Sequence, residues 1–403
     1  MKVLILAPRP LWPVHDGGTV ATMQCIRGLA KAGVSVSVLS MKTEKHSSEN
    51  GLAGDHLPAY VTDYRTVAVD TRIKPLAMIR NLLFSGEPYD LTRFMSQEYS
   101  EVLRDWLNNR QFDIIQCEGL PFAQYLDEIK GITGTPVVLR AHNLEHKIRE
   151  MMAAGTSLPV RRAYLTNLSR RLRSLERKAA AQFDAVIPIS GPDFRWFSAA
   201  DGGKPVYLSE TGVEGAACMP EPAGVNPRIG FIGAMNWQPN IEGVKWFIIN
   251  VWPGVLKKIP EATLHIAGRG LGKQGATMPG GENIVLEGEP EDARTFMASN
   301  HVMISPLFAG SGLRIKIIEA MSVGRPVVAT PVAVAGLPVE NGRHLAVVSD
   351  PGSFCNQLVR LLNDPALRAS MGTSAVQLVR ERFDNSVIAA RLLEFYRELT
   401  HGS

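Results

Sequence analysis

A glycine-rich turn followed by two cations is the feature of this sequence that points most directly to chemistry. Gly310-Ser311-Gly312 follows a predicted strand that ends at Pro306 and precedes a predicted helix from Leu313 to Val323. The first N–H groups of a helix have no partner inside it and carry the positive end of its dipole, so this turn can bind an anion. Arg314 and Lys316 add two positive charges there. The pattern predicts a diphosphate site.

A carboxylate lies further along the same predicted helix. Glu319 is eight residues beyond Ser311, which is about 12 Å if the stretch is helical throughout. That length suits a ligand with its diphosphate at the turn and a ribose at the glutamate. The alternative is a solvated amphipathic helix on which Lys316 and Glu319 form a surface pair. The tight return to a strand through Gly324-Arg325-Pro326 favours the functional interpretation.

Two further motifs follow predicted strands in the first half. Gly17 and Gly18 lie between the first strand and a helix predicted from Thr19 to Lys31, so they form either a loop that contacts a phosphate or sugar or an ordinary turn. The motif lacks the Gly-x-Gly-x-x-Gly spacing, which argues against a nicotinamide or flavin cofactor. His142 and His146 follow another strand. Glu145 is the only carboxylate that accompanies the two histidines, which is too few ligands to favour a metal site. The alternative is that the His142 ring forms a hydrogen bond to the backbone at the end of the strand.

Short apolar runs alternate with longer helical patterns along the chain. Because the runs are continuously apolar, they predict strands buried on both faces, as in parallel sheets covered by helices. The first half holds Val3–Ala7, Val34–Met41, Thr66–Val69, Asp113–Cys117, Pro136–Arg140 and Ala185–Ile189. The second half holds Arg228–Ile232, Thr263–Ala267, Ile284–Glu287, Val302–Ser305, Pro326–Ala329 and Leu345–Val348. The pattern predicts an α/β protein with two Rossmann-like, doubly wound parallel sheets.

The length and composition agree with two globular domains. The chain has 403 residues, of which 45% are hydrophobic and 20% charged. We expect one domain over residues 1–204, a second over 205–384, and a C-terminal helix over 385–403 that packs back on the first. The net charge of +4 is too small to indicate nucleic acid. The four cysteines lie far apart, which disfavours a zinc ribbon or a disulfide scaffold and favours a cytoplasmic location.

The stretch Phe308–Thr330 resembles the sugar-nucleotide site of the family 4 glycosyltransferases, retaining enzymes of the GT-B fold. Three other stretches carry the same resemblance: Gly230–Gly233 with Trp237–Asn240, Pro260–Gly268, and Leu361–Arg368. The similarity covers nearly all of the second half and, more loosely, the first. It implies two Rossmann-like domains that face each other across a cleft, with the donor on the second domain and the acceptor on the first.

The resemblance also assigns roles to single residues. The family pattern has two glutamates separated by seven residues. The second glutamate contacts the ribose, and Glu319 matches it. The first contacts the donor sugar, and Ser311 stands at its position. The family's usual cations have no counterpart in Ala234–Asn240, so Arg314 and Lys316 are expected to replace them. His142 matches an acceptor-side histidine. The expected catalytic residues are His142, Arg314 and Lys316, and the expected donor-binding residues are Gly17, Gly18, Gly310, Ser311, Gly312, Leu313 and Glu319.

The function implied is transfer of a sugar from a nucleoside diphosphate donor to a hydroxyl of a glycan, a lipid-linked acceptor or a small molecule. Retention is implied, with no metal and no cofactor; the chain has no Asp-x-Asp pair. Two alternatives stay open. A sugar-nucleotide epimerase of similar fold would need a carboxylate pair from Asp16, Glu118 and Glu145. A degenerate binding subunit without catalysis is suggested by Ser311.

A basic stretch in the first half raises the question of a membrane. Residues 147–180 contain nine Lys and Arg against Glu150 and Glu176. An apolar stripe runs along the same stretch, formed by Leu165, Leu168, Leu172, Leu175 and Ala179. Such a helix can lie on anionic lipid at the inner face of a membrane, or its stripe can belong to the core with a solvated basic back. Few aromatic residues interleave the charges, so nucleic acid is not expected as a partner.

Overall fold

The computed structural model describes residues 1–12, 17–44, 58–200, 202–220, 222, 226–274, 278–309 and 314–401. The chain divides into two compact units, one formed by Met1–Gly212 with Ile388–Ser403 and the other by Val213–Val387. The first unit extends beyond residue 204 because the chain keeps pairing with the sheet edge there. The N–H of Val186 donates to the carbonyl of Pro205, and the N–H of Tyr207 donates back to Val186.

Unit 1 is built on a six-stranded parallel sheet in the order β3-β2-β1-β4-β5-β6. The strands are β1 Lys2–Ala7, β2 Ser35–Thr43, β3 Asp63–Val69, β4 Ile114–Glu118, β5 Val137–Ala141 and β6 Ala185–Pro188. The helices are α1 Gly17–Lys31, α2 Pro75–Phe84, α3 Tyr89–Thr92, α4 Gln97–Asn109, α5 Leu126–Ile132, α6 Glu145–Ala154, α7 Pro159–Gln182 and α8 Gly191–Ser198, with a 3₁₀ turn at Leu120–Tyr125.

Unit 2 repeats this plan with a six-stranded parallel sheet in the order β12-β11-β10-β7-β8-β9. Its strands are β7 Arg228–Ile232, β8 Thr263–Ala267, β9 Ile284–Gly288, β10 Val302–Ser305, β11 Val327–Ala329 and β12 Ala346–Val347. Its helices are α9 Gln238–Asn250, α10 Trp252–Lys258, α11 Leu271–Gln274, α12 Ala293–Ala298, α13 Ile315–Ser322, α14 Pro351–Asn363 and α15 Pro365–Leu378, followed by a π-helical turn at Val379–Phe383. The last helix, α16 Asn385–His401, ends the described chain.

Both faces of the central strands of each sheet are buried. In β1, Val3 and Ile5 belong to one core while Leu4 and Leu6 belong to another on the opposite face. Successive side chains of a strand point to opposite faces, so a strand covered on both sides must be apolar at every position. The continuous apolar runs therefore follow from the architecture, and the predicted fold of two doubly wound parallel sheets is confirmed.

Helix α16 packs within unit 1 from Ile388 onward. Leu392, Leu393 and Tyr396 join the core that covers one face of β1. The ring of Phe395 stacks on Tyr207 with a centroid distance of 4.5 Å. The end of the chain thus completes the core of the unit in which the chain began.

Helix α2 differs from the neighbouring helices because none of its residues is buried. Its sequence is almost wholly apolar, since Arg80 and Asn81 are its only polar residues. Within the part of the chain that the structure describes, no helix combines the length and the apolar character needed to cross a bilayer.

Candidate functional site

In unit 1, the carboxyl ends of the central strands open into a cavity of about 610 Å³. The strand order reverses between β1 and β4, and ligands of doubly wound sheets bind at such a point because the loops diverge there. Gly18, Thr22, Glu118 and His142 contribute to the cavity wall, each from a segment that follows or ends one of these strands. The topology therefore gathers residues that are far apart in sequence.

The register of two neighbouring strands creates a buried ion pair beside this cavity. Glu118 on β4 is the direct partner of Arg140 on β5. Directly paired residues place their side chains on the same face, and the Arg140 Nη1 atom lies 3.2 Å from Glu118 Oε2. Both side chains are at most 2% exposed.

His142 follows β5 two residues after Arg140 and reaches the same carboxylate. Its Nε2 atom lies 2.5 Å from Glu118 Oε2, and its side chain is 16% exposed. An ionised carboxylate can only accept, so Nε2 carries the hydrogen of this bond and Nδ1 is the ring nitrogen left for a ligand. Thr22 Oγ1 donates to Glu118 Oε2 at 2.8 Å. Glu118 thus sets the orientation of the histidine that the sequence singled out.

Glu118 is ionised although it is fully buried. Burial alone would raise its pKa, but the charge of Arg140 and the hydrogen bonds from His142 and Thr22 lower the pKa to about 2. A carboxyl group with such a pKa has no proton to give near neutral pH. Its role is therefore to accept hydrogen bonds and to balance the charge of Arg140.

A second polar layer connects this group to the end of the chain. Tyr396 on α16 donates to Gln116 Oε1, and Gln116 Nε2 donates to Glu118 Oε1. All three side chains are buried. The sequence predicts Glu118 only as one half of an acid/base pair, and it does not predict Gln116 or Tyr396 at this site. A polar Gln-Cys-Glu ending to an otherwise apolar strand was the available signal.

Gly17 and Gly18 are the first residues of α1, two residues earlier than the predicted start of this helix. Gly18 contributes to the cavity wall, together with Thr19 in the same turn. The Gly18 carbonyl accepts from Thr22 Oγ1 at 3.1 Å. The start of α1 therefore faces the cavity, although Val14, His15 and Asp16 of the motif lie outside the described residues.

His146 does not join His142 in a metal site. Its Nδ1 atom bonds to Glu176 on α7, and both side chains are at most 3% exposed. Glu176 also accepts from the backbone N–H of Glu145 at 2.6 Å, so it caps the start of α6. The described residues contain no group of three or more His, Cys, Asp or Glu suited to a metal ion.

In unit 2, the loop after β7 lies against the loop after β8. The N–H of Met235 donates to the carbonyl of Arg269 at 2.7 Å, and Asn240 Nδ2 donates to the carbonyl of Ala234 at 2.9 Å. Gly268 has a φ of +138°, and a Cβ atom there would lie 1.8 Å from the Gly233 carbonyl oxygen. The close approach of these two loops requires glycine at this position.

Arg314 lies beside this loop and outside helix α13. Its guanidinium carbon is 5.3 Å from the ring centroid of Trp237, a cation–π distance. Its backbone is not helical, with φ of −86° and ψ of 78°. Burial lowers the pKa of Arg314, but an arginine remains charged. A cation is thus present at Ala234–Asn240 although none is encoded there.

Lys316 and Glu319 pair with each other on α13. Lys316 Nζ lies 2.8 Å from Glu319 Oε2, and the two side chains are 47% and 26% exposed. This is the surface pair that the alternative interpretation predicted. Lys316 thus pairs along its own helix, whereas the guanidinium of Arg314 lies over Trp237. The other predicted donor-binding residues, Gly310, Ser311, Gly312 and Leu313, lie outside the described residues.

Two family models match the chain along most of its length. The model described as "Glycosyl transferase 4-like domain" matches residues 16–206, and the model described as "Glycosyl transferases group 1" matches residues 226–364. The chain belongs to the group 1 glycosyltransferases. The first match covers most of unit 1 with its His142 cavity, and the second covers the sheet of unit 2 with Arg314 and Glu319.

A relative and two solved structures of glycosyltransferase type illustrate the similarity. A phosphatidyl-myo-inositol mannosyltransferase of Mycobacterium leprae is 30% identical over 229 residues, which cover 54% of this chain and 60% of that protein. The chain spans between 40% and 60% of the length of the curated relatives it matches. Sucrose-phosphate synthase from Thermosynechococcus elongatus has a TM-score of 0.70 at 16% identity, with 100% of both chains covered.

The second structure is Anabaena HepE in complex with UDP and glucose. It has a TM-score of 0.65 at 15% identity and covers 99% of this chain and 100% of its own. At these identities the likeness concerns the fold, and it agrees with the two parallel sheets described above. The GT-B fold predicted from the sequence is confirmed.

Proposed function

We propose that this glycosyltransferase-family protein moves a sugar from a nucleoside diphosphate donor to an acceptor hydroxyl. The observation that carries the proposal is His142, which an ionised, buried carboxylate holds at the wall of a cavity large enough for a sugar acceptor. With Nε2 bonded to Glu118, Nδ1 is the ring nitrogen that would bind a ligand in this cavity. In the proposed reaction this nitrogen hydrogen-bonds a hydroxyl of the transferred sugar or of the acceptor.

The donor is proposed to bind unit 2. Its diphosphate would lie at residues 310–313 and its ribose at Glu319. When the bond to the sugar breaks, negative charge grows on the leaving phosphate, and a fixed cation lowers the energy of that state. Arg314 is the residue we assign to this role, because Trp237 holds it and Lys316 is engaged with Glu319. Transfer without a metal and with retention is part of the proposal.

The acceptor is proposed to be a glycan or a lipid-linked molecule that enters the cavity of unit 1. The mycobacterial relatives are named for the transfer of mannose to phosphatidyl-myo-inositol, a membrane lipid, which makes a lipid-linked acceptor reasonable here. The cavity offers carboxylates for hydroxyl groups. One of them is Glu145, whose pKa is raised by burial although Arg149 opposes the effect.

The proposed contact of residues 147–180 with a membrane needs revision in one respect. Leu168, Leu172 and Ala179 of α7 belong to a core of unit 1, Leu175 packs against that core, and Leu165 is also buried. The apolar stripe is therefore unavailable to lipid. We retain the contact for the exposed cations of α7 alone, which would attract an anionic surface without inserting into it.

The epimerase alternative is disfavoured by the state of Glu118. An epimerase would need two carboxyl groups that exchange protons, and Glu118, one of the three candidates with Asp16 and Glu145, is kept ionised by its pKa of about 2. A binding subunit without catalysis remains the outcome to be tested against transfer.

The test is incubation of the full chain with a panel of nucleotide sugars and candidate acceptors, followed by mass spectrometry and NMR of the products. Transfer predicts a glycosylated acceptor and release of the nucleoside diphosphate, with the anomeric signal reporting retention. His142→Ala should abolish most of the product, whereas His344→Ala serves as a matched histidine control in unit 2. An isomerised donor would instead assign an epimerase, and binding without turnover would assign a subunit.

A further inference from the structure

Helix α2 presents an apolar surface that the described part of unit 1 leaves uncovered. Leu76, Leu83 and Phe84 are 84%, 67% and 83% exposed, and Ile79 is 50% exposed. Leu76, Ile79 and Leu83 share one face of the helix because they are three, four and seven positions apart. Scattered apolar side chains are normal on a protein surface, but a ten-residue helix without a buried residue is a contiguous patch.

The patch is held beside the basic helix α7. Arg171 donates from Nη2 to the carbonyl of Leu82 at 2.8 Å and from Nη1 to the carbonyl of Asn81 at 3.2 Å. Both carbonyls lie in the last turn of α2, where the Asn81 carbonyl also accepts from the N–H of Ser85 at 3.0 Å, so the guanidinium adds to the cap of this helix. One arginine therefore fixes the apolar helix against the cationic one.

The charges of α7, the helix that Arg171 joins to α2, are strongly one-sided. Helix α7 carries seven cations, Arg161, Arg162, Arg170, Arg171, Arg173, Arg177 and Lys178. Its only acidic residue, Glu176, is 1% exposed and bonded to His146. The acidic residues near the ends of α2 are already paired, Asp70 with Lys74 and Glu87 with Lys178. Arg170, Arg173 and Arg177 are exposed and lie on one face of α7 at positions i, i+3 and i+7.

We propose that α2 and the exposed cations of α7 form a docking surface for an anionic membrane. The apolar side chains of α2 enter the boundary between head groups and acyl chains, and the arginines of α7 bind the lipid phosphates. The inference goes beyond the proposed transfer reaction and does not depend on it. It also replaces the buried stripe of α7 with a different apolar element.

Charge complementarity selects the membrane over a second copy of the chain. In a two-fold dimer built on this patch, each α2 would bring its own α7 against the partner's, so like charges would meet. An anionic bilayer instead neutralises the cations of α7 while it receives the apolar residues of α2. A flat lipid surface also accepts side chains such as Leu76 and Phe84 without a matching pocket.

The experiment is sedimentation of the full chain with vesicles of phosphatidylcholine alone or mixed with phosphatidylserine, without donor or acceptor. We expect binding to the mixed vesicles at about 0.1 M salt and its loss at about 1 M, where the screening length falls from about 10 Å to 3 Å. The double variant that carries Leu76→Glu and Leu83→Glu should bind the mixed vesicles at least about tenfold more weakly than the wild type. Arg173→Ala should weaken it about fivefold, the equivalent of about 1 kcal/mol.

Matched controls lie in unit 2. Ile249 is 61% exposed and Arg360 is exposed, so Ile249→Glu and Arg360→Ala should bind vesicles like the wild type. Hydrogen exchange of the wild type should show new protection of residues 75–84 on anionic vesicles. Failure of the wild type to bind, or binding that the α2 variants leave unchanged, would overturn the proposal. If ultracentrifugation shows that the wild type is a dimer and that Leu83→Glu is a monomer, the apolar patch of α2 binds a second copy of the chain instead of a membrane.

Discussion

Glu118 keeps its negative charge in a fully buried position because Arg140, His142 and Thr22 each stabilise it. The cost of removing a carboxylate from water is large, so such a charge survives only with a close partner. Removing the carboxylate would leave the guanidinium of Arg140 buried without a counter-charge, and it would release the imidazole of His142. The residue thus links the stability of unit 1 to the geometry of its cavity.

Glu118→Gln should lower the free energy of unfolding by about 3–5 kcal/mol at pH 7. The folded-state pKa of Glu118 is about 2, below the ordinary value of about 4.3, so its stabilisation of about 3 kcal/mol is present above pH 4.3 and is lost as the pH falls toward 2. Urea unfolding of both proteins at pH 7, 4 and 3 measures this, and the difference between them should shrink with acid.

Asp70→Asn is the control for this experiment. The pKa of Asp70 is also lowered, chiefly by a hydrogen bond from Arg72, but the side chain is at the surface. Its replacement should change the stability far less at every pH. A difference between wild type and Glu118→Gln that stays constant from pH 7 to pH 3 would contradict the assignment of an ionised, paired Glu118.

Arg314 and Lys316 should differ in their effect on turnover. Arg314→Ala should lower kcat about 10²–10³-fold with a smaller effect on KM, because leaving-group charge grows in the transition state. Lys316→Ala should leave kcat near the wild-type value and raise KM for the donor, because its partner is Glu319. Steady-state kinetics of both variants and of Lys257→Ala, an exposed lysine in the same unit, test this. If Arg314→Ala keeps the wild-type kcat, the diphosphate of the donor does not bind beside Arg314.

At the scale of elements, α9 packs directly on the segment after β10. A Cβ atom on Gly243 would lie 2.2 Å from the carbonyl oxygen of Pro306. Only a glycine lets the helix come this close, and the contact positions the segment that follows β10 at Pro306. The glycine in the middle of α9 therefore has a packing function that outweighs its low helix propensity.

Gly243→Ala should lower the stability of unit 2 by about 1–3 kcal/mol, because the new methyl group must displace backbone. Gly131→Ala in α5 is the matched variant, since nothing lies within 4 Å of a Cβ atom there. It should raise stability by about 0.5–1 kcal/mol, the gain in helix propensity. Denaturant unfolding distinguishes the two, and a gain in both would show that α9 can shift freely.

At the scale of the whole molecule, the two units have the same strand order and separate cores. Val213–Val387 forms one unit, and the remaining residues of the chain form the other. Each sheet places its candidate residues at the carboxyl ends of its central strands, His142 in unit 1 and Arg314 in unit 2. A ligand that binds one unit should therefore stabilise that unit selectively.

A nucleoside diphosphate should stabilise unit 2 and leave unit 1 unchanged. At a ligand concentration of 100 Kd the gain is about 2.7 kcal/mol. Hydrogen exchange with a panel of nucleoside diphosphates measures it, with protection expected in peptides of residues 228–348. Glu319→Ala should reduce the affinity by the loss of a charged hydrogen-bond acceptor, worth about 1.5–3 kcal/mol. Protection confined to unit 1 would contradict the proposed donor site.

The sequence by itself determined the strands and the fold class, and it indicated the regions in which we propose that the chemistry occurs. All twelve predicted strands are present, each within three residues of its expected bounds. The central strands were the easiest to predict, because a strand buried on both faces must be a continuous apolar run. The Lys316–Glu319 pair was also foreseeable, since it joins residues three apart on one helix. These features depend on contacts or burial that a short window of sequence encodes.

Only the tertiary structure decided which residues meet. Glu118 reaches Arg140 and His142 across 22 and 24 residues through strand register, and Tyr396 reaches Gln116 across 280 residues. Arg314 lies over Trp237 because Trp237 follows β7 and Arg314 follows β10. These two strands are parallel neighbours, so the segments after them begin at the same edge of the sheet. The exposure of α2 follows from what the rest of unit 1 leaves uncovered. Such pairings depend on sheet order and register, which the local pattern of apolar and polar residues does not encode.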